Sequence, residues 1–312
     1  MSVLEGPRRE RRRISYAGMP HWVDVDGDTL VLGDGRQVSE AEAHYLPPCD
    51  PSKILCIHLN YRSRAIEFGR ALDDETPTYF QKPLSTLNVH RGEVVKPRDC
   101  HWLNYEGEIA AVVGRPMRNI APADVWSALA GFAPANDVGA HDFRDTDAGS
   151  MLRVKGMDSF CPIGPGLVSG VDIRASRLRT YLNGKLVQDG EVEDMVWGID
   201  YLLADLSRHI SLLPGDVVLT GTPWYSRPMQ AGDLIEVEVD GVGKLSNTII
   251  EAPAPAHAVG HQATTTKLVR AVALGKDYQR MKQDGLGVTP EDYFTVRDQY
   301  LQKNREEGPG RD

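Results

Sequence analysis

Apolar positions fall in short runs broken by turn residues, the rhythm of strands more than of long helices. Ile-Ala-Ala-Val-Val at 109–113, closed by Gly114, and the run 54–59 read as buried strands. The section from about 79 to 250 is strand-rich. Turn signals stand at Asn183-Gly184, Pro214-Gly215, Ala231-Gly-Asp and Asp240-Gly-Val-Gly. Two helices interrupt it, one over 123–132 after Pro122 and one near 199–209 with Leu202, Leu203 and Leu206 on one face. Before this section, 14–47 reads as a small β unit, with alternation around the hairpin signal Asp26-Gly27 and a second turn at Asp34-Gly35. Pro47, Pro48 and Pro51 mark a linker. Residues 61–72 read as a short helix or a mobile segment. After Ala252-Pro-Ala-Pro-Ala the pattern becomes polar and helical. Thr289 is a helix N-cap with Pro290 at the first turn, and Tyr293, Val296 and Tyr300 share a face. That tail is expected to dock on the body or on a second subunit. The expected division is a β unit over 1–50, a body over 51–252 and a helical tail over 253–312.

Composition narrows the classes. The 312 residues are 41% hydrophobic and 25% charged, an ordinary globular balance with room for a large core. A net charge of -9 argues against nucleic acid or an anionic membrane as a main partner. Arg8, Arg9, Arg11, Arg12 and Arg13 are the one basic cluster, read as an exposed N-terminal arm. No apolar run approaches a membrane span, and no secretory leader is evident. Cys49, Cys56, Cys100 and Cys161 form no Cys-x-x-Cys pair, which fits a reducing cytosol and argues against a zinc cluster. The expected location is cytoplasmic.

The chemistry begins with Glu106 and Glu108 in Asn-Tyr-Glu-Gly-Glu-Ile. Two residues apart on a strand, their carboxylates point to one face. That face lies at the entrance to an apolar strand, where unpaired carboxylates are costly and a bound cation relieves the cost. A lone Glu-x-Glu is more often a solvated edge. Asp137, Lys155 and Thr222 are equally weak taken singly: a helix cap, a solvated lysine and a turn residue.

Taken in order, these segments resemble the fumarylacetoacetate hydrolase family over roughly 53–250. The motifs are Asn60-Tyr61, Lys82-Pro83, Tyr-Glu-x-Glu, Asn136-Asp137, Lys-x-x-Asp-x-x-x-Pro-x-Gly-Pro from Lys155, Asn-Gly-x-x-x-Gln from Asn183 to Gln188, and Gly-Asp-x-x-x-Thr-Gly-Thr-Pro from Gly215 to Pro223. The similarity is strongest to the 2-hydroxyhepta-2,4-diene-1,7-dioate isomerase and 5-oxopent-3-ene-1,2,5-tricarboxylate decarboxylase branch. The resemblance implies a mostly β, α+β fold of pseudo-symmetric sheets rolled into a barrel-like core, usually as a homodimer. It implies a divalent metal on Glu106, Glu108 and Asp137. Three hard oxygen ligands favour Mg²⁺, Mn²⁺ or Ca²⁺ over Zn²⁺, with Mg²⁺ or Mn²⁺ expected, and Lys155 is expected to balance the remaining charge. It also implies a 2-oxo or 2-hydroxy-dienoate substrate, with Lys155 beside the developing enolate oxygen. Tyr61, Lys82, His141, Gln188, Gly221 and Thr222 are the implied substrate contacts.

The chain departs from the pattern at the lid segment. Relatives carry His-x-x-Glu after Asn-Tyr; here Glu67 matches, but Arg64 stands where the histidine is expected. Arginine is a permanent cation and cannot deprotonate water, but it can bind a second carboxylate. His58 either replaces the lost imidazole or is a buried histidine at a strand end. Trp224 follows Thr-Pro and is expected to narrow the pocket. The leading expectation is therefore tautomerisation or decarboxylation of a ring-cleavage di- or tricarboxylate, with Glu67 moving over the metal as residues 61–78 order. The runner-up is C–C hydrolysis of an acylpyruvate-type substrate, and the third is a binding protein without lid chemistry.

Overall fold

A computed structural model describes residues 2–72, 76–147, 149–257 and 259–308. Its architecture is mixed α+β and strand-rich. The strand Gly107–Val113 sits at the centre because both of its faces are apolar. Ile109, Ala111 and Val113 pack on one side with Leu178, Val237 and Val239 of a second sheet. Ala110 and Val112 pack on the other with Ile54, Cys56, Val217 and Leu219. Gly107–Val113 pairs antiparallel with Leu129–Asn136, Glu108 lying opposite Ala135.

The large sheet has thirteen strands. Its main path runs Gln37–Ser39, Thr29–Leu32, Met19–Asp26, Arg9–Tyr16, Gly166–Ser169, Leu129–Asn136, Gly107–Val113, Val217–Leu219, Ile54–Ile57 and Tyr79–Lys82. A five-stranded sheet from Lys185–Glu191 to Glu93–Lys96 packs across the central strands, and a three-stranded ribbon forms beside the site. The expected barrel-like core needs correction. Closure requires two neighbours for every strand. Gln37–Ser39 and Tyr79–Lys82 each have one, so no closed barrel forms among the described residues.

The N-terminal β unit is continuous with this sheet, through Arg9–Tyr16 on Gly166–Ser169. The hairpins expected at Asp26-Gly27 and Asn183-Gly184 are present. The helix expected over 123–132 stops early, at Pro122–Ala128, because Leu129 begins the strand that covers Gly107–Val113. The tail forms helices Lys267–Leu274, Asp277–Gln283 and Pro290–Glu307, the last with a capping box between Thr289 and Asp292. It docks on its own body. Trp102 Nε1 donates to Thr265 Oγ1 at 3.0 Å, and Trp102 is buried among Val269, Leu274 and Tyr293. Arg297 pairs with Asp233 at 2.6 Å, which places a charged residue inside the face expected to be aromatic. No described helix is long and apolar enough to cross a membrane.

Candidate active site

Glu106 precedes the central strand, Glu108 lies in it, and Asp137 follows its partner strand. The Asp137 N–H donates to the Glu106 carbonyl at 2.8 Å, which closes the two strand ends together. One carboxylate oxygen from each of the three residues then lies within 4.8 Å of the others. Burial pushes the Glu108 carboxyl far above its ordinary range, and the charges of Asp137 and Glu106 push it further. Hard oxygen donors, convergence and mutual repulsion together fit one divalent cation.

Two lysines buttress this cluster. Lys155 Nζ lies 2.7 Å from Glu106 Oε2 and 2.8 Å from Asp137 Oδ2. Burial works against its charge, but Asp137 and Glu106 outweigh burial and hold the ammonium above its usual value. Residue 139 packs closely on this side chain, since a Cβ there would sit 3.1 Å from Lys155 Cε and push it aside by a few tenths of an ångström. Lys82 also donates to Asp137 Oδ1, from a fully buried position off the cavity wall. Its expected substrate contact is thus replaced by a grip on Asp137.

A cavity of about 580 Å³ opens beside the cluster, lined among others by His58, Arg64, Glu106, His141, Lys155 and Thr222. Several expected substrate contacts lie off that wall, and two of them, Gly221 and Gln188, spend their polar atoms on the protein. The Gly221 N–H donates to Glu108 Oε2 at 2.8 Å. Gln188 accepts from the Gly107 N–H and donates to Thr222 Oγ1, both at 3.0 Å, so it braces the loop. Tyr61 is fully buried in the main core. Trp224 is buried and absent from the cavity wall; Lys276 Nζ lies over its ring at 4.8 Å.

His58 is half-buried on the wall, and its Nδ1 lies 3.2 Å from the Thr78 carbonyl. A carbonyl can only accept, so Nδ1 carries the proton and Nε2 is the acceptor. Burial lowers the His58 pKa against the pull of that carbonyl. His141 is only 2% exposed, and neither ring nitrogen has a protein partner. Burial, then Arg144, Lys155 and Arg64, hold it far below its usual pKa, hence neutral.

Glu67 differs most from expectation. Its Oε2 accepts from Arg64 Nη1 at 2.6 Å and from the Tyr225 N–H at 3.0 Å; its Oε1 accepts from Arg227 Nη1 at 2.6 Å. Burial alone would raise its pKa, but Arg227 and Arg64 outweigh burial and hold it at about 2. A water-activating base needs a free carboxylate, and Glu67 offers none here. The helix Arg62–Glu67 is tied down by polar contacts: Ser63 donates to Asp194 and Arg62 to the Met195 carbonyl. Residues 73–75 of the expected lid lie outside the described residues.

Sequence reasoning missed Arg144, Arg70 and Val272 on the wall. Arg144 lies three positions after His141, one helical turn, and that spacing was the available signal. Val272 comes from the tail and carried no signal.

The Fumarylacetoacetate (FAA) hydrolase C-terminal family model matches residues 53–250. The structure of 5-carboxymethyl-2-hydroxymuconate delta-isomerase from Mycobacterium smegmatis is 32% identical, with a TM-score of 0.72 over 78% of this chain and 99% of that one. Oxaloacetate tautomerase YisK of Bacillus subtilis is 34% identical over 225 residues, 68% of this chain and 74% of that protein. An Escherichia coli 4-hydroxyphenylacetate degradation bifunctional isomerase/decarboxylase is 32% identical over 220 residues, 70% of this chain and 51% of that longer protein. With more than half of its residues under the family model, the chain belongs to the fumarylacetoacetate hydrolase family.

Proposed function

We propose that the chain is a Mg²⁺- or Mn²⁺-dependent isomerase or decarboxylase of a 2-oxo or 2-hydroxy-dienoate di- or tricarboxylate. The observation that carries this reading is the charge of the cavity. Arg64, Arg144 and Lys155 line it; Lys155 is taken up by Glu106 and Asp137 and one end of Arg64 by Glu67, but the other end of Arg64 faces the site and Arg144 pairs with no carboxylate among the described residues. Such a wall suits an anion with more carboxylates than a cation at the cluster can take. The isomerase and tautomerase relatives are named for substrates of that kind.

Glu106, Glu108 and Asp137 would hold the cation, with Lys82 and Lys155 orienting the carboxylates. When bound, it supplies Lewis-acid stabilisation of an oxyanion developing on the substrate. Lys155 adds a positive charge beside the same oxygen. His58 moves the proton through Nε2, with Thr78 fixing the tautomer. Neutral His141 donates one hydrogen bond to substrate oxygen, and Thr222 orients the near carboxylate. Arg64 and Arg144 take the distal carboxylate. The acting species is a homodimer, to be checked by light scattering.

The test is ultraviolet absorbance and product analysis with a 2-hydroxy-2,4-dienedioate and Mg²⁺. The expected products are an isomer or a decarboxylated acid. Arg64→Ala should raise KM roughly tenfold with a smaller effect on kcat. Efficient acetylpyruvate hydrolysis, unaffected by Arg64→Ala, would reject this reading in favour of C–C hydrolysis.

A further inference from the structure

The tail reaches the cavity by a second route besides Val272. Asp277, at the start of helix Asp277–Gln283, accepts from Arg227 Nε at 2.8 Å. Arg227 Nη1 lies 2.6 Å from Glu67 Oε1, and Glu67 Oε2 lies 2.6 Å from Arg64 Nη1. The other end of the Arg64 guanidinium faces the site, with Nη2 3.7 Å from Glu106 Oε1. The side chains of Asp277, Arg227, Glu67 and Arg64 are each 4% exposed or less. Charges alternate along the row, and water screens none of the links.

A second feature points the same way. A Cβ on Gly275 would stand 2.5 Å from Glu67 Oε1 and 3.0 Å from Arg227 Nη1. The tail backbone therefore passes too close to the Glu67–Arg227 pair to leave room for a side chain at 275. Asp277 is itself braced by the Tyr225 hydroxyl at 3.0 Å and Asn304 Nδ2 at 3.0 Å. Residues 264–308 lie outside the matched span of 53–250, so Asp277 and Gly275 come from the tail while Arg227, Glu67 and Arg64 come from the matched body.

We propose that Asp277 is a positioning residue for substrate binding, which through Arg227 and Glu67 holds the Arg64 guanidinium on the cavity wall to receive a distal carboxylate. This deepens the reading above and rests on a substrate with a second carboxylate. Arg64 lies beside the Phe68 ring, 4.6 Å from its centroid, in a helix of six residues, and a partner in that helix that is itself anchored from outside must steady its guanidinium. The Glu67 carboxylate does so, and Glu67 is fixed in turn by Arg227. With Asp277 neutralised, Arg227 keeps Glu67 as its one anionic partner, and the Glu67–Arg64 link loosens.

The experiment measures Mg²⁺-dependent binding of two probes by calorimetry. 2-Oxoglutarate carries the 2-oxo acid and a distal carboxylate; pyruvate carries the 2-oxo acid alone. Asp277→Asn should weaken 2-oxoglutarate about fivefold to tenfold and pyruvate less than about twofold. In an Arg64→Ala background the same change should have no further effect. Arg227→Lys keeps the charge but cannot span both carboxylates, and Gly275→Ala wedges Glu67; both should show the same selective loss. Equal weakening of both probes, or full additivity with Arg64→Ala, would overturn the proposal. If Arg64→Ala itself fails to separate the two probes, the two-carboxylate reading fails. If it separates them and the Asp277, Arg227 and Gly275 variants do not, only the role of Asp277 fails.

Discussion

The chain carries an appendage on each side of its shared body, and they differ in where their contacts end. The N-terminal strands lengthen the large sheet through Arg9–Tyr16 and bury a small core of Ile14, Val23, Leu30, Leu32 and Tyr45. None of these residues lines the cavity. The C-terminal helices bury a core of their own around Trp102, yet Val272 and Asp277 project from it to the cavity wall and its supporting charges. A strand added to a sheet is confined by backbone pairing to the plane and register of its neighbour. A helix lays a side-chain face into a groove and can send single residues much further inward. On this view one appendage contributes stability and the other contributes to binding.

The comparison needs a scale, and Lys155 provides the largest effect. Lys155→Met should lower turnover by roughly two to three orders of magnitude in saturating Mg²⁺. Its melting temperature should change little. Parallel losses in stability and turnover would show the lysine to be structural, and the scale would be lost.

Acid should separate the appendages next. Glu67 has a folded pKa of about 2 against a usual 4.5, so its contribution to stability is complete above pH 4.5. It is lost as pH falls from there through 2, and amounts to roughly 3 kcal/mol for a fully buried group. Between pH 5 and pH 3, hydrogen-exchange protection, taken relative to the intrinsic amide rate at each pH, should therefore fall in 62–67 and 267–283. A loss of protection confined to the N-terminal strands would break the comparison.

The smallest catalytic effect should come from the N-terminal core. Ile14→Ala removes a fully buried side chain and should cost about 2–5 kcal/mol. kcat/KM of the folded protein should stay within twofold or so of the parent. A larger catalytic loss would mean that the first appendage also reaches the site.

The convergence of the three carboxylates was expected from the ordered motifs of the family resemblance; they sit at adjacent strand ends, and Lys155 reaches them from the helical turn Leu152–Lys155. Glu106 and Asp137 meet across one ladder, and register alone brings them together. The roles of Lys82, Gln188 and Gly221 were not legible. Each was expected on the substrate, but whether a polar atom faces ligand or protein depends on what stands opposite. Gln188 meets Gly107 and Thr222, and Gly221 meets Glu108. The fate of Glu67 was further out of reach. Arg227 is 160 positions away in sequence and Asp277 another 50 beyond, and neither sits in a motif. Helix 123–132 was read too long because the apolar residues of a strand buried on both faces mimic a helical stripe at short range.

Asn304, on helix Pro290–Glu307, braces both Tyr225 and Asp277. A ribosome makes that helix after every other element described. The body can fold while synthesis continues, but the wall near Val272 and the row of charges ending at Arg64 must wait until that helix has been made. Firm substrate binding would then be the last property the chain acquires: a nascent chain with all three carboxylates in place would still hold its substrate loosely.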